Sequence, residues 1–293
     1  MKKKAFDKIV LIYNPKSTND AMAKAKDFKA ALKKAGYTST LAPTERKLHA
    51  IELAKTFTKK YTRPLIISVS GDGGYNEVIN GVMQACETDA TCRPVVAVIG
   101  AGNANDHKRL TRGETPLIQL VKKGKTKPLD LIRLQAKNLD RYAHSYIGLG
   151  ITPEVAIELN KHQLNFFEEI KIIFRSFRNF TPSEILVDGK KRRLGSLLFA
   201  NIHGMAKLLK LSENENVNDG KFEIIRLAYD GTGRLLLDLA LMAIHVRPAP
   251  KASKYRFRTI QRTAVQFDGE VEHIPAHSEV LVESMQGIVD SLY

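Results

Sequence analysis

Short apolar runs alternate with helical segments over the first 130 residues of the chain. The apolar runs predict strands at residues 8–13, 38–42, 65–70 and 94–99. Apolar residues at helical spacing predict helices at residues 20–35, 51–57, 78–83 and 115–123. Because strands alternate with helices, we predict an α/β domain with a doubly wound, mostly parallel sheet.

After about residue 129, apolar and polar residues alternate along the chain, as is typical of half-buried strands. Strands are predicted at residues 141–149, 184–187, 196–202, 222–228, 254–260, 263–267 and 279–283. Asp188-Gly189 favours a hairpin turn. We therefore predict two domains, residues 1–130 and a β-rich, sandwich-like domain at 131–284. The sequence leaves open whether residues 285–293 pack on the first domain.

Composition narrows the function classes. Apolar residues make up 43% of 293, enough for a sizeable core, and the net charge is +15. This charge favours an acidic partner: nucleic acid, an anionic membrane face or a phosphorylated substrate, with a merely well-solvated surface as the alternative. No nucleic-acid recognition motif is present, so we expect no nucleic-acid partner. No run approaches the length of a membrane span, and the N-terminal apolar run is too short for a signal peptide. We expect a cytoplasmic protein, peripheral at the inner membrane face in one interpretation.

The two cysteines, Cys86 and Cys92, lie six residues apart with no further cysteine or His pair near them. We expect neither a metal site nor, in a reducing cytosol, a disulfide. No Ser-His-Asp, H-E-x-x-H or Cys-rich constellation is visible, so hydrolase and zinc functions have no support. His203 and His245 are interpreted as structural.

A glycine-rich turn joins the third predicted strand to its helix, with the sequence Gly71-Asp72-Gly73-Gly74. Glycines let the backbone approach a phosphate closely, and the amides and dipole of a helix N-terminus favour negative charge. The carboxylate of Asp72 suits Mg²⁺ better than phosphate. A plain tight turn is the alternative for so short a motif.

The longer run Gly71-Asp72-Gly73-Gly74, Asn76-Glu77-Val78 and Asn80-Gly81 resembles the G-D-G-T-x-N-E-V-x-N-G signature of the lipid kinase family. That family contains bacterial diacylglycerol kinases and shares its catalytic domain with sphingosine kinases. NAD kinases and phosphofructokinases resemble the G-D-G core more remotely. Gly74 stands where the family usually has Thr.

Two further segments resemble nucleotide contacts of this family. Asn14-Pro15-Lys16-Ser17 resembles N-P-x-S-G, with Thr18 in the place of Gly, and Thr44 follows the second strand. The resemblance implies an ATP site whose contacts are Asn14, Pro15, Lys16, Thr44, Ser70, Gly71, Gly73, Gly74, Asn76, Glu77 and Asn103. A plain turn is the alternative at Asn14-Pro15.

The segment after the fourth strand, Gly102 to Asp106, resembles the family's G-T-x-N-D. Asn103 replaces the Thr, and Gly100 replaces a preceding Pro. The resemblance implies that Asn105 and Asp106 contact the substrate, whereas helix capping is the alternative.

Two turns in the second half also resemble the family. Asp219, with carbonyls near Asn216 and Lys221, resembles the segment that holds a structural magnesium in bacterial diacylglycerol kinases. Phe267-Asp268-Gly269-Glu270 resembles the late D-G-E, which implies that Glu270 accepts a proton with help from Asp268, at the nucleotide site. Hairpin turns are the alternative for both.

A basic amphipathic segment at residues 166–178 suits contact with a membrane, although an ordinary helix packed on the sheet is the favoured interpretation. The cluster Lys190 to Arg193 is interpreted as a solvated hairpin arm that could attract anionic lipid.

The resemblance implies a lipid kinase that uses ATP and Mg²⁺, with Asp72, Asp268 and Glu270 as catalytic carboxylates. The predicted acceptor is diacylglycerol or a similar lipid at an anionic membrane surface. Alternatives are a nucleotide-binding, lipid-sensing protein with weak or no turnover, and a kinase for sphingosine, phosphatidylglycerol or NAD. The sequence leaves the oligomeric state open, with a homodimer as one alternative.

Overall fold

The chain divides into two compact units, Met1–Asp130 with Gln286–Tyr293, and Leu131–Met285. The structure is a computed structural model that describes residues 5–17, 20–87, 89, 92–153, 180, 182–205, 209–210, 217–231, 233–235, 237–238 and 249–293. The amphipathic segment at 166–178 and Asn216 lie outside the described residues.

The first unit contains a parallel sheet with helices between its strands. Its elements are β1 (Lys8–Tyr13), α1 (Ala21–Lys34), β2 (Ser39–Pro43), α2 (His49–Lys60), β3 (Pro64–Ser70), α3 (Asp72–Cys86), β4 (Val95–Gly100), α4 (Asp106–Thr111) and α5 (Leu117–Lys123). The strand order is β2–β1–β3–β4, and every pair is parallel. The predicted α/β class is therefore confirmed.

Both faces of this sheet are covered. Alternate residues of β1, β3 and β4, such as Leu11, Ile67 and Ala97, form one buried cluster with α1 and α5. Helices α2 and α3 pack together and contact the strands as well. Strands β1 and β3 are neighbours, but their following helices lead to opposite edges of the sheet. This is the switch point at which the carboxyl ends of strands leave a ligand crevice.

The second unit is antiparallel and rich in strands. Its elements are β5 (Lys127–Ala136, which begins in the first unit), β6 (Leu139–Ala143), β7 (Tyr146–Gly150), β8 (Ser183–Val187), β9 (Lys190–Ala200), β10 (Gly204–Met205), β11 (Leu209–Lys210), β12 (Phe222–Ala228), β13 (Lys251–Ala252), β14 (Lys254–Thr259), β15 (Thr263–Phe267), β16 (Glu270–Ile274) and β17 (Glu279–Ser291). Strand β9 pairs with β7, β8 and β12 around a core that includes Phe199, Phe222 and Phe267. The predicted β-rich second half is confirmed.

Strand β17 crosses from the second unit into the first. Its residues Glu279–Glu283 pair antiparallel with β14, and Asp290 and Ser291 pair parallel with β4. The Asp130 carboxylate accepts a hydrogen bond from the Gly287 amide at 2.6 Å, which ties the crossing segment to the end of the first unit.

Positive backbone angles account for the hairpin between β8 and β9. Asp188 and Gly189 have φ values of 51° and 72°, as the predicted turn requires. Asp268 and Gly269 have φ values of 50° and 101° between β15 and β16. Strand β16, which pairs with β15 across this turn, was not predicted.

Three local predictions were incomplete. The predicted strand at 141–149 is two strands, β6 and β7, interrupted at His144 and Ser145. The short helix α4 was not predicted. Helix α3 begins at Asp72, so Gly73 and Gly74 lie in its first turn rather than in a loop before it.

The expectation that the cysteines form no disulfide was wrong. Cys86, at the end of α3, and Cys92 form a disulfide with a Cα–Cα distance of 5.4 Å. The turn before β4 brings the two Cα atoms within the ordinary range for this bond. Among the described helices, none combines the length and apolar character needed to cross a membrane.

Candidate active site

The side chain of Asp72 joins two loops at the carboxyl edge of the parallel sheet. One carboxylate oxygen accepts a hydrogen bond from the Asp106 amide at 2.9 Å, and the other accepts one from the His107 amide at 3.1 Å. These amides belong to the first residues of α4, which lack partners within that helix. Asp72 therefore caps α4 from outside and fixes the end of β3 against the segment after β4.

Glycines permit the backbones of the same two loops to touch. A β-carbon on Gly71 would lie 3.0 Å from the Cα atom of Gly102. The Ala101 amide donates to the Ser70 carbonyl at 2.8 Å, so the contact continues the pairing of β3 with β4. The glycines thus serve the packing of one loop on the other as well as any approach of a ligand.

Asn105 holds the loop after β4 in its bent form. Its side chain accepts a hydrogen bond from the Gly102 amide at 2.9 Å and donates to the Gly102 carbonyl at 2.6 Å. The φ of Asn105 is 51°, a conformation that asparagine tolerates better than most residues. A β-carbon on Gly100 would lie 3.0 Å from this side chain, so a small residue belongs at position 100.

Asp106 opens α4 and is fully buried. Its carboxylate pairs with the Arg109 guanidinium at 2.6 Å, one helical turn later. The His107 ring contacts the Tyr75 ring at a tilt of 47°, with a centroid distance of 5.2 Å, which packs α4 on α3. Asn105 is the N-cap residue of α4, but its side chain makes no capping hydrogen bond, and Asp72 accepts the first amides instead.

The loops after β1 and β2 reach the same edge. The Asn14 side chain accepts a hydrogen bond from the Lys16 amide at 2.9 Å, which forms a turn that leaves Asn14, Pro15 and Lys16 exposed. The Thr44 amide donates to the Tyr13 carbonyl at 2.8 Å. The sheet therefore gathers these predicted contacts at the switch point, together with the exposed Asn103.

Two predicted contacts have structural partners within the first unit. Asn76 is fully buried and accepts hydrogen bonds from the Asn80 side chain at 2.9 and 3.0 Å. The Glu77 carboxylate accepts a hydrogen bond from the Leu48 amide at 3.3 Å, which satisfies the start of α2. The signature residues after the glycine turn, Asn76, Glu77 and Asn80, thus make contacts that stabilise α3 and the start of α2.

Positive side chains near this edge were not found by sequence reasoning. The Lys24 ammonium donates to the Gly100 carbonyl at 3.0 Å, which brings a cation from α1 to the loop after β4. Arg112 follows α4, and burial lowers the pKa of its guanidinium while Tyr75 and Glu114 act in the opposite direction. The chain has 46 Lys and Arg residues, so no local pattern distinguishes these two.

In the second unit, the Asp268 carboxylate organises the break between β6 and β7. It accepts hydrogen bonds from the amides of His144, Ser145 and Tyr146 at 2.8, 3.0 and 2.9 Å. Asp268 is 1% exposed. A buried carboxylate is tolerated only where donors compensate its charge, and three backbone amides do so here.

The same cluster contains Ser, His and Asp, a combination that was not expected. The His144 ring lies between the Ser145 hydroxyl, 2.7 Å from Nδ1, and Asp268, 3.3 Å from Nε2. All three side chains are buried, so no substrate reaches the hydroxyl. The arrangement is a structural network around the turn and gives no support to a hydrolase function.

Glu270 differs from Asp268 in its environment, although only Gly269 separates them. It is the first residue of β16, opposite Phe267, and it is partly exposed. Of the two carboxylates in this motif, Glu270 is thus the one that a substrate can reach.

The residues around Asp219 do not fit the expected magnesium site. One carboxylate oxygen accepts a hydrogen bond from the Lys221 amide at 3.1 Å, and the other pairs with the Lys251 ammonium at 2.6 Å. Lys251 also lies 3.5 Å from the Glu223 carboxylate. Burial lowers the pKa of Lys251, but these acidic partners outweigh that effect and raise it. An ammonium group therefore already neutralises the carboxylate that the metal would need.

Within the described ranges, no group of three or more His, Cys, Asp or Glu side chains is arranged to hold a metal ion. A Mg²⁺ ion that arrives with a nucleotide needs fewer protein ligands, because phosphate and water supply most of its coordination. The single carboxylate of Asp72 is compatible with that arrangement.

Comparisons with known proteins agree with these features. The family profile described as diacylglycerol kinase catalytic domain matches residues 8–134. The chain is 25% identical over 275 residues to a diacylglycerol kinase of Bacillus subtilis (strain 168), with 89% of this chain and 88% of the relative covered. A diacylglycerol kinase of Staphylococcus carnosus (strain TM300) is 23% identical over 278 residues, which cover 89% and 87% of the two chains.

The fold is also shared with a solved structure. The crystal structure of a diacylglycerol kinase from Bacillus anthracis str. Sterne is similar to this chain with a TM-score of 0.71 and 19% identity. The alignment covers 100% of this chain and 98% of the other. At this identity the likeness concerns the fold, including the β-rich second half beyond the family profile.

Proposed function

We propose that this chain is a lipid kinase of the diacylglycerol kinase family, a phosphotransferase with an alcohol acceptor, because the catalytic-domain profile matches residues 8–134 and two relatives of that name align with 89% of the chain. The protein transfers the γ-phosphate of ATP to the hydroxyl of diacylglycerol or a similar lipid, giving phosphatidic acid or an analogous phospholipid.

The observation that carries this proposal is the bridge made by Asp72. Its two hydrogen bonds to the start of α4 join the Gly71–Gly74 turn to the loop that contains Asn103 and Asn105. Both segments lie at the carboxyl edge of the sheet, where nucleotides bind in doubly wound folds. Such a brace holds phosphate-binding amides in place before the nucleotide arrives.

The nucleotide lies across that edge in this proposal. The amides of Gly71, Gly73 and Gly74 at the start of the 15-residue helix α3 bind phosphate, and the helix dipole favours the negative charge. The remaining proposed contacts are Asn14, Pro15, Lys16, Thr44, Ser70 and Asn103. Asp72 would hold the Mg²⁺ ion, which supplies charge neutralisation at the phosphates. Asn76 and Glu77 support the loop from within the first unit.

The reaction needs one proton acceptor. The lipid hydroxyl oxygen forms a bond to the γ-phosphorus, the bond from that phosphorus to the bridging oxygen of ADP breaks, and the hydroxyl proton leaves. We assign the proton to Glu270, because its carboxylate is partly exposed. Asp268 positions the turn that precedes Glu270, and Asn105 and Asp106 shape the loop proposed to face the acceptor.

Label transfer from radiolabelled ATP to diacylglycerol in mixed micelles tests the proposal. Wild type is compared with Asp72→Asn, Glu270→Gln and, as a matched control, Glu279→Gln at an exposed position of β17. We expect Glu270→Gln to lower kcat by about 100-fold or more with its unfolding temperature unchanged. Asp72→Asn should lower both activity and unfolding temperature, because an amide nitrogen would face a backbone donor.

Equal transfer by wild type and both site variants would contradict the assigned roles. Mg-ATP binding without any phospholipid product would indicate the nucleotide-binding, lipid-sensing alternative. A panel of acceptors containing sphingosine, phosphatidylglycerol and NAD, read by product mass, identifies the acceptor if diacylglycerol is not used.

A further inference from the structure

Position 74 and position 70 compete for one small space. A β-carbon on Gly74 would lie 2.6 Å from the β-carbon of Ser70 and 2.7 Å from its hydroxyl oxygen. Real β-carbons do not approach other atoms so closely, and both neighbours belong to a short side chain at the end of β3. As long as Ser70 is present, residue 74 has to be glycine or the start of α3 has to shift.

The Ser70 hydroxyl is held in this space by two contacts. Its oxygen lies 2.7 Å from the Ser68 hydroxyl oxygen, and it donates to the Gly71 carbonyl at 2.9 Å. Ser68 is 1% exposed, whereas Ser70 is partly exposed. Strand β3 therefore presents one hydroxyl outward at the phosphate turn, with a second, buried hydroxyl behind it.

The Ser70 proton can change partner at small cost. The Gly71 carbonyl also accepts the hydrogen bond of the Tyr75 amide at 3.1 Å. If the Ser70 hydroxyl turns toward a ligand, this carbonyl keeps a partner and no buried acceptor is left unsatisfied. Ser68 can then donate to Ser70, which makes the Ser70 hydroxyl a better donor to an anion.

We propose that Ser70 supplies a phosphate-binding hydroxyl at the turn where the family signature has Thr at position 74. Ser70 and Gly74 then form a compensating pair, in which the hydroxyl lies at the end of β3 rather than in the first turn of α3. The Ser70 oxygen lies next to the point at which a threonine side chain at position 74 would begin. The inference rests on the proposed nucleotide site at Gly71–Gly74.

The pair explains a departure from the signature that otherwise argues against turnover. Taken alone, Gly74 leaves the turn without the hydroxyl that the signature has at this position. Taken with Ser70, it clears the space for a replacement hydroxyl at the same turn. The loss of Thr at position 74 is therefore no reason to expect an inactive protein.

Moving the hydroxyl back tests the proposal. The variants are Ser70→Ala, which removes only the oxygen, Gly74→Thr, which adds a side chain beside Ser70, and the double variant Ser70→Gly/Gly74→Thr. The measurements are kcat and KM for ATP with diacylglycerol micelles, the Kd for Mg-ADP by calorimetry, and the unfolding temperature.

We expect Ser70→Ala to lower kcat/KM for ATP by about 10- to 100-fold, the effect of losing one hydrogen bond to a charged group. The KM for the lipid should not change. Gly74→Thr should lower kcat/KM for ATP at least as much as Ser70→Ala does, and it should unfold at a lower temperature than wild type. The double variant should recover to within about threefold of wild type. Relief of the clash between the two positions would by itself restore the unfolding temperature. Recovery of kcat/KM above the level of Ser70→Ala requires the threonine hydroxyl at position 74.

Ser291→Ala is the matched control. Ser291 lies in the first unit, is buried, and donates its hydroxyl to the Val96 carbonyl at 3.2 Å near the opposite, amino end of the sheet. Its loss should lower the unfolding temperature without changing the KM for ATP.

Two results would overturn the inference: Ser70→Ala with wild-type kinetics and Mg-ADP affinity, or a folded double variant as weak as Gly74→Thr. If the double variant does not fold, the kinetics and Mg-ADP affinity of Ser70→Ala decide whether the Ser70 hydroxyl binds phosphate. If wild type transfers no phosphate but binds Mg-ADP, the proposed function fails, and the affinity of Ser70→Ala still tests the hydroxyl. If wild type binds no Mg-ADP, both proposals are wrong.

Discussion

At the scale of single residues, the carboxylates of Asp72 and Asp268, in the two Asp-Gly motifs, both accept hydrogen bonds from backbone amides. Asp72 accepts amides from the start of α4, and Asp268 accepts three amides at the break between β6 and β7. Sequence reasoning assigned both carboxylates to chemistry, because an acidic residue among glycines suggests a metal or a proton. The contacts show that each first stabilises the geometry of its own turn.

We expect Asp268→Asn to destabilise the second unit by roughly 2–4 kcal/mol, because the amide nitrogen would replace an acceptor that faces backbone donors. Asp188→Asn is the control: this exposed turn residue has nearly the same φ, and the change should cost under about 0.5 kcal/mol. Urea unfolding followed by circular dichroism measures both. Equal stability of the two variants would show that the amide contacts of Asp268 contribute little.

Lys251 leads to a prediction about metal removal. Because its ammonium neutralises Asp219, excess EDTA should leave the unfolding temperature of the wild-type protein unchanged. Lys251→Met should destabilise the fold by roughly 0.5–1.5 kcal/mol, and millimolar Mg²⁺ should then restore part of the loss. Lys254→Met removes an exposed pair with Glu283 and serves as control. A lower wild-type unfolding temperature in EDTA would show that a metal is bound after all.

The pH dependence of this pair has a definite sign. The pKa of Lys251 is raised in the folded state, so its stabilising contribution is complete below the unfolded pKa of about 10.4. It is lost as the pH rises through the raised value. The difference in unfolding free energy between wild type and Lys251→Met should therefore shrink above that pH, and a constant difference would exclude the ion pair as its cause.

At the scale of elements, the packing of α3 on α2 depends on Gly81. A β-carbon there would collide with the Ile51 carbonyl oxygen and would lie 2.8 Å from the β-carbon of Ala54. This close approach explains the glycine at the end of the signature, since α3 begins at the phosphate turn and its position sets that of the turn. Sequence periodicity predicted α3 but not the distance to its neighbour.

Gly81→Ala should therefore destabilise the first unit by about 1–3 kcal/mol, although alanine is the better helix former. Gly233→Ala, in a described helical turn with no atom within 4 Å of the added β-carbon, should be neutral or stabilising by up to about 1 kcal/mol. Chemical denaturation of both variants provides the comparison. If Gly81→Ala is the more stable, α2 and α3 are less closely packed than described.

At the scale of the whole molecule, the net charge of +15 is the property with the clearest consequence. A basic protein is drawn to anionic lipid surfaces over about one Debye length, roughly 10 Å at 0.1 M salt. This attraction suits a kinase whose proposed acceptor resides in a membrane. Net charge alone does not distinguish an anionic lipid surface from nucleic acid. Binding to lipid vesicles is therefore measured directly.

We expect the protein to bind phosphatidylglycerol vesicles at low salt, to bind phosphatidylcholine vesicles far less, and to dissociate as salt rises. Lys190→Glu/Arg192→Glu, on the exposed first residues of β9, should weaken binding by about 10-fold or more, at about 1 kcal/mol per basic residue near the surface. Lys59→Glu/Lys60→Glu, at the end of α2, is the control with the same charge change. Equal losses in vesicle sedimentation would assign the attraction to net charge rather than to the β9 arm.

Much of the fold could be predicted because the spacing of apolar residues along the chain specifies many of the strands and helices. Strands β1, β12 and β15 begin and end where the apolar patterns place them, and Asp188-Gly189 adopts the expected turn. The break at His144 could not be predicted, because it depends on Asp268, more than 120 residues later. Helix α4 likewise depends on a contact between separate loops, because Asp72 accepts hydrogen bonds from its first amides. The disulfide depends on the turn between α3 and β4, which the apolar pattern does not specify.

The sequence by itself determined the two kinds of architecture, the order of the motifs and the loops that end at one edge of the parallel sheet, because hydrophobic period and turn residues act locally. Only the tertiary structure decided what each polar group contacts. It paired Asp72 with α4, Asp219 with Lys251, and Ser70 with the space at Gly74. Such contacts depend on the distance and direction of side chains far apart in the chain, which a linear pattern does not encode.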